Sequence, residues 1–356
     1  MQTQSLEFFQ NLSKRHRVYL IHWGYSQVFL LLFFIIAFIR ASFRLLFFKI
    51  DIIQLGDIVL SPLGVLLKFL FNKPVIAVSH GKDSAYSNIL YNSLVLGAAK
   101  KLDSIICVSS HVKEKLKARG LQEAALTVIP NGINESGIAG KRIAREEAIG
   151  ILSRSFNLDL KGKKVLLAAA RLVPKKGIAE FVENIFGLIK KETKEVVFLI
   201  AGAGPQKQRI VEVVKRRGLS DAVFLLGNIE HESLHYHALF AIADVLVMPN
   251  ISVNNDAEGF GMVILEAAVE GVPVVAFAVD GVNQTIQNHK NGVLIPQDDN
   301  EGFAQAVTSL LVSEEAREGL IVKAKKFVFE NFSWSSIVTR YEDEYQRLIA
   351  LWLSKK

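Results

Sequence analysis

Two carboxylates in the second half of the chain stand eight residues apart with a glycine-rich turn between them. The segment reads Asn255-Asp-Ala-Glu258-Gly-Phe-Gly-Met-Val-Ile-Leu-Glu266. A glycine-rich turn that opens a helix presents free backbone N–H groups and the positive end of the helix dipole to an anion. We expect Glu258 to reach a ligand at the start of that helix, and Glu266, about two turns further in, to bind a ribose diol. The alternative on spacing alone is that Glu258 caps the helix and Glu266 faces solvent.

Two cations follow a predicted strand at Val165–Ala169. Arg171 lies at the end of this strand, and Lys176 comes five residues later, before a helix that Gly177 begins. Parallel sheets bind their ligands at the carboxyl ends of the strands. Two cations at this edge would neutralise a diphosphate leaving group electrostatically and without a metal ion. Two solvated basic residues in a loop are the alternative.

Weaker signals lie after two other predicted strands. Gly202-Ala-Gly204-Pro205 follows the strand Val196–Ala201, but a strand-to-helix turn often needs glycine for backbone reasons alone. His80 follows the strand Pro74–Val78, and a lone histidine at a strand end is more often a satisfied polar group than a ligand. These segments therefore support a site only in combination with the first two.

The elements that carry these segments alternate between short β-branched runs and amphipathic helices, which is typical of an α/β protein with parallel sheets. Further strands are predicted at Val18–His22, Asp51–Gln54, Ser104–Val108, Leu126–Ile129, Val223–Leu226, Val245–Met248, Val274–Phe277 and Val293–Ile295. The spacing of apolar residues predicts a C-terminal helix over Ile337–Leu353. The polar, interrupted stretch from Ile133 to Lys163 predicts a connector between two domains.

Five segments resemble, in their order along the chain, motifs of the family 4 retaining glycosyltransferases of GT-B fold. They are Ser79-His80-Gly81, Val128-Ile-Pro-Asn131-Gly132, Arg171 with Lys176-Gly177, Gly202-x-Gly-Pro205, and Glu258-Gly-Phe-Gly with Glu266. The resemblance covers nearly the whole chain, and the paired glutamates are its most specific part. It implies two facing Rossmann-like domains, at 1–155 and 156–335, with a helix at 336–356 that crosses back to the first domain.

The resemblance also implies roles for individual residues. Glu258 and His80 would approach the transferred sugar, and Glu266 would bind the ribose of the nucleotide. Arg171 and Lys176 would hold the pyrophosphate. The other donor-binding residues would be Gly259, Phe260, Gly261, Met262, Gly202, Gly204 and Asn131, with the backbone amides of Gly261 and Met262 on the pyrophosphate. The implied reaction moves a sugar from a nucleotide-diphosphate sugar to a glycan or lipid-linked acceptor of cell-envelope or surface polysaccharide synthesis, with no cofactor and no metal ion.

Three departures from the family pattern bear on activity. The family usually opens with a strand and a glycine-rich loop that reaches the donor phosphates, whereas Met1–Ser5 resembles the start of the helix that follows such a loop. Asn283-Gln284 replace a Pro-Glu pair common after Gly281, and Asn134 stands where an aspartate is common. The missing loop supports an alternative function, a catalytically silent relative of the same fold that binds a nucleotide sugar or a partner. A glycoside phosphorylase is disfavoured, because no pyridoxal-phosphate lysine signature is present.

The positive charge of the chain is concentrated in its first part. The whole chain carries a formal net charge of +7, and residues 1–150 hold 18 Lys+Arg against 10 Asp+Glu. Such asymmetry favours an anionic partner. Nucleic acid is not expected, because the sequence shows no zinc-finger spacing and no RNA-binding signature, which leaves an anionic membrane surface.

The segment Val28–Ile39 determines how the chain would meet a membrane. It is apolar and uncharged but shorter than the roughly 20 residues that a spanning helix needs, and Arg40 and Arg44 follow it. A buried helix, a helix lying in the membrane interface and a span are three alternatives that the sequence leaves open. The sequence shows no signal peptide, and the single cysteine, Cys107, indicates a reducing compartment. We therefore expect a cytoplasmic protein, peripheral on the inner face of the cytoplasmic membrane.

Overall fold

The computed structural model describes residues 2–22, 30–81, 91–134, 143–231, 233–253, 260–279 and 281–354. The chain forms two compact units. The first comprises Met1–Gly132 together with Trp334–Lys356, and the second comprises Ile133–Ser333. Each unit combines helices with a sheet of parallel strands, so the predicted α/β class is confirmed.

The first unit contains a four-stranded parallel sheet in the order β1-β2-β3-β4. Its strands are β1 (Ile53–Leu55), β2 (Val75–Ser79), β3 (Ser104–Cys107) and β4 (Leu126–Val128). Its helices before residue 132 are α1 (Gln2–Ser13), α2 (Leu30–Phe47), α3 (Ser61–Phe71), α4 (Gly97–Ala99, which follows a π-helical turn at Tyr91–Leu96) and α5 (Ser110–Ala118). Every residue of β2 and β3 is buried, as expected of strands whose two faces are both covered. Cys107 is accordingly a buried core residue.

The prediction of a strand at Val18–His22 is wrong. Residues 17–22 have no regular secondary structure and belong to neither sheet of the described chain. Val18 packs on the core of the first unit instead. The ring of Tyr19 is contacted by the guanidinium groups of Arg17 and Arg44, which lie 5.4 and 4.8 Å from its centroid. Core packing and cation–π contacts thus hold this alternating run without a sheet partner.

The second unit contains a six-stranded parallel sheet in the order β10-β9-β8-β5-β6-β7. Its strands are β5 (Lys164–Ala169), β6 (Val196–Ala201), β7 (Val223–Gly227), β8 (Val245–Met248), β9 (Val274–Phe277) and β10 (Val293–Ile295). Its helices are α6 (Arg145–Phe156), α7 (Ile178–Asn184), α8 (Phe186–Glu192), α9 (Lys207–Arg216), α10 (Leu234–Ile242), α11 (Met262–Glu270), α12 (Val282–Thr285), α13 (Asn300–Val312) and α14 (Glu314–Phe332). β5 pairs with both β6 and β8, so the strand order reverses there. Sheets of this kind bind ligands at the carboxyl ends of the strands at such a switch point.

The predicted connector from Ile133 to Lys163 belongs to the second unit. Within it, α6 buries Ala148 and Leu152 in the core of that unit and packs on α10. The division between the units lies after Gly132 and again after residue 333, instead of after residues 155 and 335 as the sequence suggested. The sequence did not predict this helix, because α6 is rich in charged residues and only two of its residues are fully buried.

The last helix, α15 (Trp334–Leu353), belongs to the first unit. Its buried residues recur at helical spacing and are Trp334, Ile337, Val338, Tyr341, Glu344, Tyr345 and Leu348. Helix α1 packs on it: the Trp334 indole N–H donates to Glu7 Oε2 at 3.0 Å, and the rings of Phe8 and Tyr341 are 4.4 Å apart. The first and last helices therefore share the core of the four-stranded sheet.

Among the described residues, helix α2 is covered on one side only. Phe33 and Ala37 are buried against Leu63 and Leu67 of α3. Its exposed apolar residues are Leu32, Ile35, Ile39, Phe43, Leu46 and Phe47. Across the described parts of the chain, every helix is too short or too polar to cross a bilayer. The predicted apolar segment thus forms a half-buried helix from Leu30 onward, while residues 23–29 lie outside the described residues.

Candidate functional site

A crevice opens at the carboxyl ends of β5 and β8, where the strand order of the second unit reverses. Its lining includes Ala168, Ala170, Lys176, Met248, Asn250 and Val263. The loop after β5, the loop after β8 and the first turn of α11 meet at this crevice. The N–H groups in the first turn of a helix have no partner within the helix and carry its positive end. The crevice is therefore suited to an anionic group of a ligand.

Both predicted cations lie in the loop that follows β5. Arg171 is exposed two residues after the strand ends, and Lys176 lines the crevice at the end of a 3₁₀ turn. The carbonyl oxygen of Lys175 accepts a hydrogen bond from the N–H of Ile251 at 2.9 Å. This bond ties the loop to the one after β8, so the backbone that carries Lys176 is anchored on both sides of the crevice.

Gly202 and Gly204 allow the loop after β6 to lie directly against the loop after β5. A Cβ on Gly202 would come within 1.8 Å of the Ala170 carbonyl oxygen, and one on Gly204 within 2.4 Å of the Leu172 carbonyl oxygen. The Ala170 N–H donates to the Ala201 carbonyl at 3.0 Å, which continues the strand pairing into these loops. The geometry thus gives the two glycines a packing role, and their contact with the donor stays a prediction.

Gly202→Ala is expected to lower the free energy of unfolding by about 2 kcal/mol, because the new Cβ would meet a backbone oxygen that is fixed by strand pairing. The matched control is Gly187→Ala in α8, where nothing lies within 4 Å of the added Cβ. This control should be neutral or stabilising, since alanine favours a helix over glycine. Urea unfolding of the three proteins makes the comparison, and equal midpoints for both variants would contradict the packing role.

Helix α11 begins directly after a residue in the left-handed region. Gly261 caps it with a φ of 75°, which residues with a Cβ rarely adopt, and Met262 is its first residue. Phe260 is buried with its ring 5.7 Å from that of Phe332, and its carbonyl accepts a hydrogen bond from the Thr285 hydroxyl. The Phe260 ring is therefore packed in the core, and its predicted contact with the donor stays a prediction.

Glu266 is buried in α11, and both of its carboxylate oxygens are engaged. The Tyr236 hydroxyl donates to Oε2 at 2.6 Å, and His231 Nε2 lies 3.0 Å from Oε1. Burial and the charge of Glu266 raise the pKa of Tyr236 well above its usual value, so this hydroxyl remains a donor. At 8% exposure Glu266 is no solvated surface residue, which removes the alternative that spacing alone left open. No sequence pattern indicates Tyr236 or His231, which stand 30 and 35 residues before Glu266 without a periodic signal.

Two predicted site residues belong to the first unit, whereas the crevice lies in the second. His80 follows β2, and its Nε2 lies 3.1 Å from the Gly56 carbonyl oxygen. Asn131 follows β4 and is half-buried. Glu258 and Gly259 lie outside the described residues, which resume at residue 260. The predicted roles of these four residues stay predictions.

Two family models match the chain. Residues 4–136 match the one described as Glycosyltransferase Family 4, and residues 153–327 match the one described as Glycosyl transferases group 1. The second match contains the whole crevice, including the loops after β5 and β8 and the start of α11.

Two curated relatives are similar across most of the chain. The GDP-mannose-dependent alpha-(1-6)-phosphatidylinositol monomannoside mannosyltransferase of Mycobacterium tuberculosis is 26% identical over 76% of this chain and 68% of its own length. The N-acetyl-alpha-D-glucosaminyl L-malate synthase of Bacillus anthracis is 24% identical over 76% of this chain and 67% of its own length.

Solved structures share the fold. Anabaena Alr3699/HepE in complex with UDP matches with a TM-score of 0.70 and 17% identity, covering 88% of this chain and 82% of that one. The sucrose-phosphate synthase of Thermosynechococcus elongatus matches with a TM-score of 0.66 and 22% identity, over 92% and 81%. Likeness at these identities shows the fold, and the GT-B prediction is confirmed.

Proposed function

Because this chain belongs to glycosyltransferase family 4, we propose that it moves a sugar, with retention of anomeric configuration, from a nucleotide-diphosphate sugar to a glycan or lipid-linked acceptor. The observation that carries this proposal is the crevice at the strand switch point, where Arg171 and Lys176 follow β5 and helix α11 begins. Cations and a helix start are groups that bind a diphosphate. With a glycan or lipid-linked acceptor, the reaction would be a step of cell-envelope or surface polysaccharide synthesis.

In the proposed reaction, the bond between the anomeric carbon of the sugar and the diphosphate breaks, and the acceptor oxygen bonds to that carbon from the same face. The proton of the acceptor hydroxyl passes to the departing phosphate oxygen. Negative charge grows on the diphosphate as the bond breaks, and Arg171, Lys176 and the first turn of α11 would stabilise it. By resemblance to the family, Glu258 and His80 would contact the transferred sugar.

The proposal is tested with a panel of UDP- and GDP-sugars, by thermal stabilisation of the protein and by release of the nucleoside diphosphate. Both bases belong in the panel, since the Mycobacterium tuberculosis relative is named for GDP-mannose and the Anabaena structure holds UDP. We expect one donor to stabilise the protein and to be turned over at a rate that EDTA leaves unchanged, because protein cations supply the charge. NMR of the product should show a retained anomeric configuration.

Each of the other results has a definite meaning. Stabilisation by a donor without any turnover would favour the catalytically silent relative. A strict requirement for Mg²⁺ or Mn²⁺ would overturn the metal-free scheme while leaving the transferase. No stabilisation by any nucleotide sugar would contradict the proposal as a whole.

An exposed apolar surface on the first unit supports peripheral attachment to a membrane. On α2, the exposed residues recur at helical spacing, and α3, which packs on α2, adds the exposed Leu66, Phe69 and Leu70. We call this set of nine residues, from Leu32 to Phe47 on α2 and from Leu66 to Leu70 on α3, the α2–α3 face. Large exposed apolar patches mark interaction sites. The excess of basic residues in 1–150 matches anionic headgroups, so we propose that the α2–α3 face inserts into an anionic leaflet.

Ile39→Ser combined with Phe69→Ser should weaken binding to vesicles that contain phosphatidylglycerol by about tenfold or more, because both side chains are exposed and would be buried in lipid. Sedimentation across a salt series measures the affinity, which should fall with salt as charge is screened. The matched control is Val312→Ser with Val322→Ser, which removes two exposed apolar side chains from the second unit. Wild-type protein that stays in the supernatant at low salt would contradict the proposed attachment.

A further inference from the structure

The buried carboxylate of Glu266 has one hydrogen-bond partner on each of its two oxygens. An ionised carboxylate offers about four lone-pair sites on its two oxygens. Tyr236 occupies one site on Oε2, and His231 Nε2 faces Oε1. Each oxygen therefore keeps capacity for one further donor. A vicinal diol presents two hydroxyl donors at the spacing of two such oxygens.

The two partners of Glu266 are themselves fixed. The Tyr236 side chain is buried, with its ring 5.2 Å from that of Phe240, and the Ser233 hydroxyl accepts a hydrogen bond from the Tyr236 N–H at the start of α10. The His231 ring lies 4.8 Å from the Tyr236 ring, and its side chain is 49% exposed. Tyr236 thus holds one oxygen of the Glu266 carboxylate from the buried side. His231 lies beside the other oxygen, on a side that solvent reaches.

We propose that Tyr236 and His231 are positioning residues that orient the Glu266 carboxylate toward the ribose hydroxyls of the donor nucleotide. This inference rests on the proposed function and on the ribose contact that the family resemblance implies for Glu266. A buried polar group arranged for a substrate hydroxyl rejects the analogue that lacks it, because the group is then left unpaired. The Tyr236–Glu266–His231 cluster would therefore set the preference of the enzyme for ribonucleotides over deoxyribonucleotides.

A purely structural role makes a different prediction. If Tyr236 and His231 served only to satisfy a buried carboxylate, their loss would lower stability and would weaken every nucleotide by the same factor. A positioning role instead affects only those nucleotides that carry the ribose hydroxyls. Comparing ribo- and deoxyribonucleotides in one variant separates the two roles, even when that variant is somewhat less stable.

The experiment is calorimetric titration of UDP and GDP and of their 2′-deoxy and 3′-deoxy counterparts into wild-type protein and Tyr236→Phe. For the preferred base, we expect wild-type protein to bind the ribonucleotide about tenfold more tightly than the deoxy forms, as one hydrogen bond to a charged group would give. Tyr236→Phe should lose this preference by weakening the ribonucleotide about tenfold while the deoxy forms change little. In turnover, the donor KM should rise while kcat is kept.

Three further variants extend the comparison. Tyr345→Phe is the matched control, since it removes a buried tyrosine hydroxyl that donates to Gln54 in the first unit and should leave the ribonucleotide preference intact. His231→Gln keeps an N–H donor and should retain more of the preference than His231→Ala. Melting temperatures of all variants account for any loss of folded protein.

Four outcomes overturn the inference, and they differ in what else they affect. Equal weakening of ribo- and deoxyribonucleotides in Tyr236→Phe, or no weakening of either, overturns the positioning role alone. Wild-type protein that binds both forms equally well overturns the ribose contact of Glu266 as well, while a positive transfer assay would keep the transferase. Wild-type protein that binds no nucleoside diphosphate overturns the proposed function together with the inference.

Discussion

Alanine at either Arg171 or Lys176 will slow sugar transfer by about 10²–10³, which is the usual loss when one preorganised charge donor is removed from a site where negative charge develops. The loop that carries both residues is fixed by backbone contacts on its two sides, to the loop after β6 and to the loop after β8. Because these contacts are made by backbone atoms, truncating either side chain should leave the loop in place. The loss should therefore appear in kcat/KM without a matching loss of stability.

Steady-state rates with the preferred donor measure this effect, alongside melting temperatures. Lys175→Ala is the matched control, because it removes the neighbouring cation of the same turn but keeps the side chain that lines the crevice. Residues that act on the same charge are rarely additive, so the double variant should lose less than the product of the two single losses. Two single variants that both keep the full rate would rule out the proposed phosphate site.

The strands of the second unit could be predicted from the sequence almost to the residue. The runs Val196–Ala201 and Val274–Phe277 are buried at every position, as strands with both faces covered must be, so composition alone reveals them. Arg171 and Lys176 could be placed for the same reason, because a residue that follows such a strand lies at the carboxyl edge of the sheet. The local sequence pattern was therefore sufficient to predict strands that are buried at every position.

The predictions that failed concern segments whose partners are distant in the sequence. Val18–His22 alternates like a strand, but Val18 packs on the core of the first unit and the Tyr19 ring lies against the Arg44 guanidinium. The packing of Phe260 could not be predicted either, because its ring contacts that of Phe332 from α14. Tyr236 reaches Glu266 only because α10 and α11 pack together. Contacts of this kind depend on tertiary packing, for which one sequence has no periodic signal.

Glu344 will give the largest stability loss that we expect from a single polar substitution. Its carboxylate is buried where α15 meets the four-stranded sheet, at 6% exposure. The Ser104 hydroxyl on β3 donates to it at 2.5 Å, the Thr127 hydroxyl on β4 at 3.2 Å, and Arg347 through Nε and Nη2 at 2.8 and 2.7 Å. Glu344→Ala leaves a buried hydroxyl without its acceptor and separates an ion pair, which should cost about 3 kcal/mol. Partial exposure of Arg347, which can be rehydrated, keeps this value at the low end for a buried pair.

The pH dependence of this loss isolates the charge of Glu344. Burial alone would raise its pKa, but the hydrogen bonds from Arg347 and Ser104 outweigh burial and hold the pKa below the usual value. A carboxyl with a depressed pKa stabilises the fold above its unfolded pKa of about 4.3, and this contribution disappears as the pH falls through the folded pKa.

Glu344→Gln has nearly the shape of the protonated side chain. The difference in unfolding free energy between wild type and Glu344→Gln, measured in urea, should therefore be largest near neutral pH and shrink below about pH 4. The control is Glu318→Gln, an exposed glutamate of α14 beyond its first turn, and it should show no such trend. A difference that stays constant as the pH falls would mean that the charge of Glu344 does not hold α15 on the sheet.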